Sequence, residues 1–461
     1  MEQSAITRTI LVAAGRFAPG HLGELTQQVP FEMVDAVLTE TRTGQRRIRD
    51  LPARVVVYLL LAGCLFAELG YRQVWQRLVA GLDGLPLPQP SAAALTKARH
   101  RLGPAPLRAL FDLLRGPAAT LAGQVRWRGL LVCAVDGTTM TVADSPANLA
   151  RFSKQRGGRT GGSGYPMLRL VAVVACGTRS VIDAVFGPIT KGETTYAAGL
   201  LRCLGPGMVL LADRNFAAGG LLAAIADTKA HVLVRAKTGA GGPKLPVLRR
   251  HRDGSYRSRF GGVDVRVVEA EITIATSAGR VTGRYRLITT LLDPVDHPAV
   301  ALIRLYHERW EIETTNLELK SSTLGGRVLR ARTPAGVEQE IYALLVTYQI
   351  LRTAMCDATN TTSTIDPDRA SFTIALHTAR DQVVRAAAVI AETVIDLVGA
   401  IGQAVLDNLL PARRLRVNAR TVKRAISKYN ARGPNIDRST YKAALTITVL
   451  AGPALTTDPD P

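Results

Sequence analysis

A chain of 461 residues carries 58 Lys and Arg against 37 Asp and Glu, a formal net charge of +21 with a pI near 10.3. Its 47% hydrophobic and 5% aromatic residues describe a soluble globular protein of about two to four domains and exclude a disordered one. The charge is the electrostatic footprint of a nucleic-acid binder; a basic membrane-surface protein would need an amphipathic Lys/Arg helix with a Trp/Phe face, which the sequence lacks.

Five scattered cysteines, Cys64, Cys133, Cys176, Cys203 and Cys356, form no CxxC and no paired His spacing, which argues against a zinc site or a disulfide scaffold and for a reducing compartment. The start, MEQSAITRTILVAAG, lacks the basic region and long apolar core of a signal peptide. The longest apolar run, 55–67, is too short for a bilayer and reads as a buried helix.

In chain order, the first third is helical. A helix from FEMVDAVLTE leads through a basic turn (Arg42, Arg46, Arg47, Arg49, Arg54) to that buried helix. Ser91 then stands as N-cap of a short helix that Gly103-Pro104 stops. Lys97 and Arg101 lie one turn apart on it beside Arg99 and His100. Such a helix is either a helix-turn-helix DNA reader or an ordinary solvated face. From about residue 126 the pattern changes to strands. LVCAVD and MVLLAD are apolar runs that each deliver an aspartate at the carboxyl end, Asp136 and Asp213. Between them lies a hairpin turning near Gly177. Apolar strands separated by helices predict a sheet buried on both faces, an α/β core. Residues 236–292 break the alternation with a β-rich, Gly-punctuated insertion holding 11 Lys/Arg against 4 Asp/Glu. After about residue 336 the chain is expected to be helical again, with a tract at 413–432 of eight basic residues and no acid, and a disordered tail.

The chemistry concentrates at YHERWEIETTNLELK, residues 306–320. On a continuous helix Tyr306, Arg309, Glu313 and Lys320 fall at roughly 0°, 300°, 340° and 320°, one arc of about 60°. Glu308, Glu311 and Glu318 face elsewhere. By itself this is a helix with an Arg309–Glu313 pair; likewise Asp136 before Gly137 alone is a turn residue, and Asp213 before Arg214-Asn215 alone an N-cap. If the two strands are parallel neighbours, however, Asp136 and Asp213 lie side by side at the edge where α/β sheets bind ligands. Carboxylates so placed raise one pKa unless a cation holds them together, and a hard divalent cation with oxygen ligands, Mg²⁺ for one, is the natural answer. Glu313 would complete a two-metal site for displacement at phosphorus. Arg235 and Lys237, just past a strand end, are placed for DNA contact or for a solvated rim; the basic loop 151–166 is open in the same way, and Trp310 is open between core packing and base stacking.

Asp136, Asp213 and Tyr306-x2-Arg309-x3-Glu313-x6-Lys320 resemble the DDE transposases of bacterial insertion sequences, in the insertion-sequence-four family with the YREK signature. The separations of 77 and 100 residues between the acids suit that family, as do DRNF after the second strand and RWEIE in the helix. The resemblance implies an RNase H-like catalytic domain over 121–335, interrupted by a β insertion at 236–295, between a helical DNA-binding region (1–120) and a helical, basic C-terminal region (336–461). It implies Asp136, Asp213 and Glu313 as catalytic ligands of two Mg²⁺, with Mn²⁺ as substitute. Tyr306, Arg309 and Lys320 are then expected on the DNA, joined by Arg235, Lys237, Lys97 and Arg101. The expected partner is double-stranded DNA, inverted-repeat ends and target, bound by a homodimer in the cytoplasm at the nucleoid. The expected reaction is nicking at the element's end, then attack of the freed 3′-OH on target DNA. A non-joining RNase H-like nuclease and a catalytically inactive DNA-binding regulator are the competing readings.

Overall fold

The centre of the molecule follows from apolar strands whose alternate residues have different neighbours. The computed structural model describes all residues except 1–8, 45, 46, 48, 119–125, 155–163, 240, 277, 278, 362–364, 387–397, 412–443 and 451–461. A hairpin of β1 (Thr9–Leu11) and β2 (Phe17–Pro19) precedes five helices: α1 (Phe31–Glu40), α2 (Ala53–Leu65), α3 (Tyr71–Val79), α4 (Ala92–Leu102) and α5 (Ala105–Leu114). Next come β3 (Arg126–Trp127), β4 (Leu130–Thr141), α6 (Pro146–Phe152), β5 (Met167–Ala175), β6 (Val181–Pro188), α7 (Glu193–Ala198), β7 (Met208–Ala212), α8 (Gly219–Asp227) and β8 (His231–Ala236). The insertion supplies β9 (Arg249–Arg250), β10 (Tyr256–Phe260), β11 (Val263–Thr276) and β12 (Gly279–Thr289). The remainder comprises α9 (Ala299–Tyr306), α10 (Trp310–Leu317), α11 (Pro334–Asn360), α12 (Phe372–Val384), α13 (Gly399–Asp407) and β13 (Ala444–Val449).

Among the described residues one large sheet runs β6-β5-β4-β7-β8-β12-β11-β10-β9, with β3 on β4 and β13 on β11. β4, β5 and β6 form an antiparallel meander, and β7 and β8 add in parallel beside β4. This is an RNase H-like core. The insertion is continuous with it, since β12 pairs antiparallel with β8 and carries the sheet onward. Along β4, Val132 and Ala134 face one hydrophobic core and Leu131, Cys133 and Val135 the other. Helices cover both faces, so the strands read as unbroken apolar runs.

The helical regions at the two ends of the chain share one core with the sheet: α11 packs on α2 and α5, and α12 on α2 and α3. In α2 every residue but Arg54 is buried, as expected of its apolar run. Ser91 caps α4, its Oγ accepting from Ala94 N at 3.2 Å, and Gly103 ends it at φ +67°. The hairpin turn falls at Gly177, φ +92°. Two expectations change. The C-terminal third is not purely helical, because β13 pairs antiparallel with β11 from Ala275↔Ala444 to Ala270↔Val449. The segment 306–320 is not one α-helix: α9 tightens into a 3₁₀ turn over His307–Arg309, and α10 opens into a π-turn over Glu318–Thr323. Arg46, the loop residues 155–163, the basic tract 413–432 and the tail lie outside the described residues. No helix among those described is long and apolar enough to cross a membrane.

Candidate active site

Two neighbouring strands set the site. β4 and β7 pair in parallel from Leu131↔Met208 to Val135↔Ala212, and the next residue on each is an aspartate. Asp136 and Asp213 therefore leave the paired strands side by side. β4 does not stop there, however. β5 keeps pairing with it through Asp136↔Ala172 to Thr141↔Met167, which holds Gly137 in extended strand and rules out the turn reading of Asp136-Gly137. The glycine makes room for a neighbouring acid: a Cβ there would sit 2.7 Å from Glu193 Oε1. Asp213 does act as a cap. Its Oδ1 accepts from Asn215 N at 2.8 Å and starts the 3₁₀ turn Arg214–Phe216.

The third acid arrives from α10. Glu313 Oε1 accepts from Arg309 Nη2 at 2.7 Å. Arg309 is largely buried, with its Nε sealed from solvent and without a hydrogen-bond partner. Burial pushes the Asp136 carboxyl up to about 7, Asp213 and Glu313 push it the same way, and the Gly137 N–H and Arg309 oppose them. Burial alone would lower the Arg309 pKa, but Tyr306, Glu313 and Asp136 more than offset this and hold it cationic. Three carboxylates and one guanidinium thus share a field. As donors, three carboxylates suit a hard divalent cation. Yet among the described residues no three Asp, Glu, His or Cys side chains stand close enough together to hold a metal ion. The charge facing Glu313 is Arg309.

Tyr306 packs inside the free protein. It is 8% exposed and its hydroxyl donates to Ala212 O at 3.2 Å. It therefore braces the end of β7 just before Asp213. Burial pushes its phenol up to about 12. Lys320 lies in the π-turn, where the 100° spacing used to aim it no longer holds. Arg235 stacks on the Tyr285 ring, 4.0 Å from its centroid. Arg235 and exposed Lys237 line a cleft of about 240 Å³ together with Arg214, Thr238, Gly241 and Arg284. Arg214 and Arg284, which line the same cleft, were not singled out in the sequence. Arg214 directly follows Asp213, which was a usable signal; Arg284 is one of many alternating arginines in the insertion. Lys97 and Arg101 belong to the helical layer, both exposed, with Arg101 donating to Leu51 O at 3.0 Å.

Residues 19–112 match the family model for the insertion element 4 transposase N-terminal region, and residues 127–350 that for the transposase DDE domain. The chain is 27% identical over 356 residues to the transposase InsG for insertion sequence element IS4 of Escherichia coli (strain K12), spanning 74% of this chain and 78% of that one. It is 27% identical over 200 residues to the putative transposase InsZ of the same organism, 42% and 64% of the two chains. A piggyBac transposase synaptic complex with hairpin DNA aligns over 86% of each chain at 10% identity and a TM-score of 0.42. With its sheet, its two adjacent aspartates and both family regions in order, the chain belongs to the DDE transposases of the IS4 family, enzymes that process DNA.

Proposed function

We propose that this transposase cuts DNA at the ends of its insertion sequence in a Mg²⁺-dependent step and joins the freed 3′-OH to target DNA. One observation carries the reading. Two adjacent parallel strands deliver Asp136 and Asp213, a helix brings in Glu313 paired with Arg309, and burial with these neighbouring acids pushes Asp136 up to about 7. A half-buried carboxyl among two others is stable as an anion only when positive charge joins it. Asp136, Asp213 and Glu313 would hold divalent cations, Mg²⁺ or Mn²⁺ in its place, which when bound stabilise the attacking and leaving oxygens of an in-line displacement at phosphorus.

The chain's own residues do the rest. Arg309, paired with Glu313 in the free protein, would bind a phosphate of the cut strand, where its fork suits two oxygens at once. Arg214, Arg235, Lys237 and Arg284 would seat the backbone beyond the scissile bond, in the cleft next to Asp213. Tyr306 would keep Asp213 at its height on the sheet edge. Lys320, Lys97 and Arg101 extend the basic surface in this proposal, and affinity falls with salt by roughly −0.9 in log–log slope per phosphate contact. Pairing of two copies across two ends belongs to the same proposal and is read from the mass of the DNA-bound species.

The test is a cleavage and strand-transfer assay on the element's own terminal DNA with Mg²⁺, beside Asp213→Ala. Nicking and a joined product, both lost in the variant while end binding persists, are the expected result. Nicking without joining would make it a plain nuclease. Binding without chemistry in the wild type would make it a DNA-binding protein that has lost catalysis.

A further inference from the structure

We infer that a buried five-charge cluster behind the site, formed by Arg179, Glu311, Glu318, Arg352 and Asp368, positions Glu313 relative to Asp136. This rests on the reading of Glu313 as a site carboxylate. Glu311 and Glu318 lie two residues before and five after Glu313. Glu311, 1% exposed, accepts from Arg179 Nε at 2.7 Å. Glu318 accepts from Arg179 Nη1 at 3.4 Å, from the Tyr348 hydroxyl at 2.8 Å, and from Arg352. Asp368, on the 3₁₀ turn Pro367–Arg369, takes the remaining Arg179 nitrogen.

The cluster joins the two halves of the site through a short covalent path. β5 is paired with β4 at Asp136↔Ala172 and ends at Ala175. Arg179 follows four residues later, at the hairpin tip, and clamps Glu311 beside Glu313. Its φ of +57° is a conformation that a side-chain-bearing residue adopts at a cost, and such strain is found where neighbours over-determine geometry. The Tyr348 hydroxyl lies 3.2 Å from the Arg179 carbonyl oxygen, and Arg179 N donates to Ala175 O at 2.9 Å. On the other side, the backbone around Glu318 opens into the π-turn, so regular helical bonds do not fix its register. Side chains from α11 do so: Arg352 Nε donates to the Tyr348 hydroxyl at 3.1 Å, and both hold Glu318. A well-packed apolar core would stabilise this spot at least as well as five charges. What charges add is direction, because each of these bonds has a fixed angle.

Glu311, Glu318 and Arg179 are thus positioning residues, and the test separates position from folding. Glu311→Gln and Asp368→Asn are made in the full chain and compared with wild type and Glu313→Ala on terminal DNA with Mg²⁺. Expected for Glu311→Gln is end binding within about twofold of wild type and cleavage at saturating DNA lowered between about 10- and 100-fold, with half-maximal rate at higher Mg²⁺, the range seen when groups behind metal ligands are removed. Asp368→Asn, at the margin of the cluster, follows at the low end. In the metal-free proteins, hydrogen exchange should quicken within 307–323 and stay as in wild type across α2 and β4. Wild-type cleavage and local exchange in both variants would overturn the inference. So would a general loss of protection in which binding and cleavage fall together, the mark of a merely structural role. If Glu311→Gln does not fold, Asp368→Asn decides. Failure of the underlying reading looks different: wild type without cleavage, or Glu313→Ala with full cleavage.

Discussion

The two faces of segment 310–323 carry charge in opposite states of satisfaction. On the rear face, Glu311 and Glu318 are buried and accept from Arg179, Arg352 and the Tyr348 hydroxyl. On the front face, Glu313 is 36% exposed and meets Arg309, whose own Nε is buried without a partner, while Asp136 is held up near 7 by burial and by two neighbouring acids. Buried polar groups are ordinarily paired, and the exceptions mark places where a ligand or ion is expected. The rear face is satisfied within the chain; the front face waits for something that arrives.

Breaking the rear face should therefore have the largest effect on stability. Glu318→Ala strands Arg352 in the core and is expected to cost about 3–5 kcal/mol, while Glu313→Ala removes a part-exposed partner of Arg309 and should cost less, about 1–3 kcal/mol. Urea unfolding midpoints check both. Equal losses would erase the contrast. Next in size is the response to cation. Mg²⁺ should raise the wild-type melting temperature, by about 2.7 kcal/mol of stabilisation at a hundredfold excess over its dissociation constant. Asp136→Asn should lose most of that gain, whereas equal stabilisation of both would place the cation elsewhere.

The pH dependence has a definite sign. In EDTA, Asp136 keeps its proton up to about 7 in the native state but gives it up near 3.8 when unfolded. Its contribution is full below about 4, declines as pH rises, and is gone above about 7. Asp136→Asn should then gain on wild type between pH 5 and pH 8 in paired melts. A constant difference would mean that the carboxyl is not held up.

The site was legible in the sequence to an uneven degree. Two apolar strands each ending on an aspartate, with a helix between 306 and 320, are local patterns, and the parallel register Val135↔Ala212 agrees with the reading of Asp136 and Asp213 as neighbours. The apolar run of α2 and the Ser91 cap were legible for the same reason. What failed were inferences that extend a local rule past its range. A fixed angle per residue does not cross a 3₁₀ turn and a π-turn, so the shared arc of Tyr306 and Lys320 was geometric only on paper. The alternation in ALTITV, at Ala444–Val449, was a strand signal overlooked in a helical neighbourhood, and its partner β11 lies about 170 residues earlier. The rear cluster was out of reach altogether, since Arg179 meets acids 132, 139 and 189 residues away.

The smallest effect is the most discriminating about Tyr306. Its hydroxyl donates to Ala212 O from inside the protein, so Tyr306→Phe removes one neutral hydrogen bond and should cost about 0.5–1.5 kcal/mol. End binding and its salt slope should not change, because no phosphate contact is lost. Cleavage should fall modestly at saturating DNA, as the end of β7 loosens and Asp213 with it. The opposite pattern, weaker binding with a shallower salt slope and unchanged stability, would mean that the side chain swings out to the DNA in the complex. The front face would then include a residue that the free protein keeps indoors, and the division between a satisfied rear and a waiting front would have to be drawn one helical turn earlier.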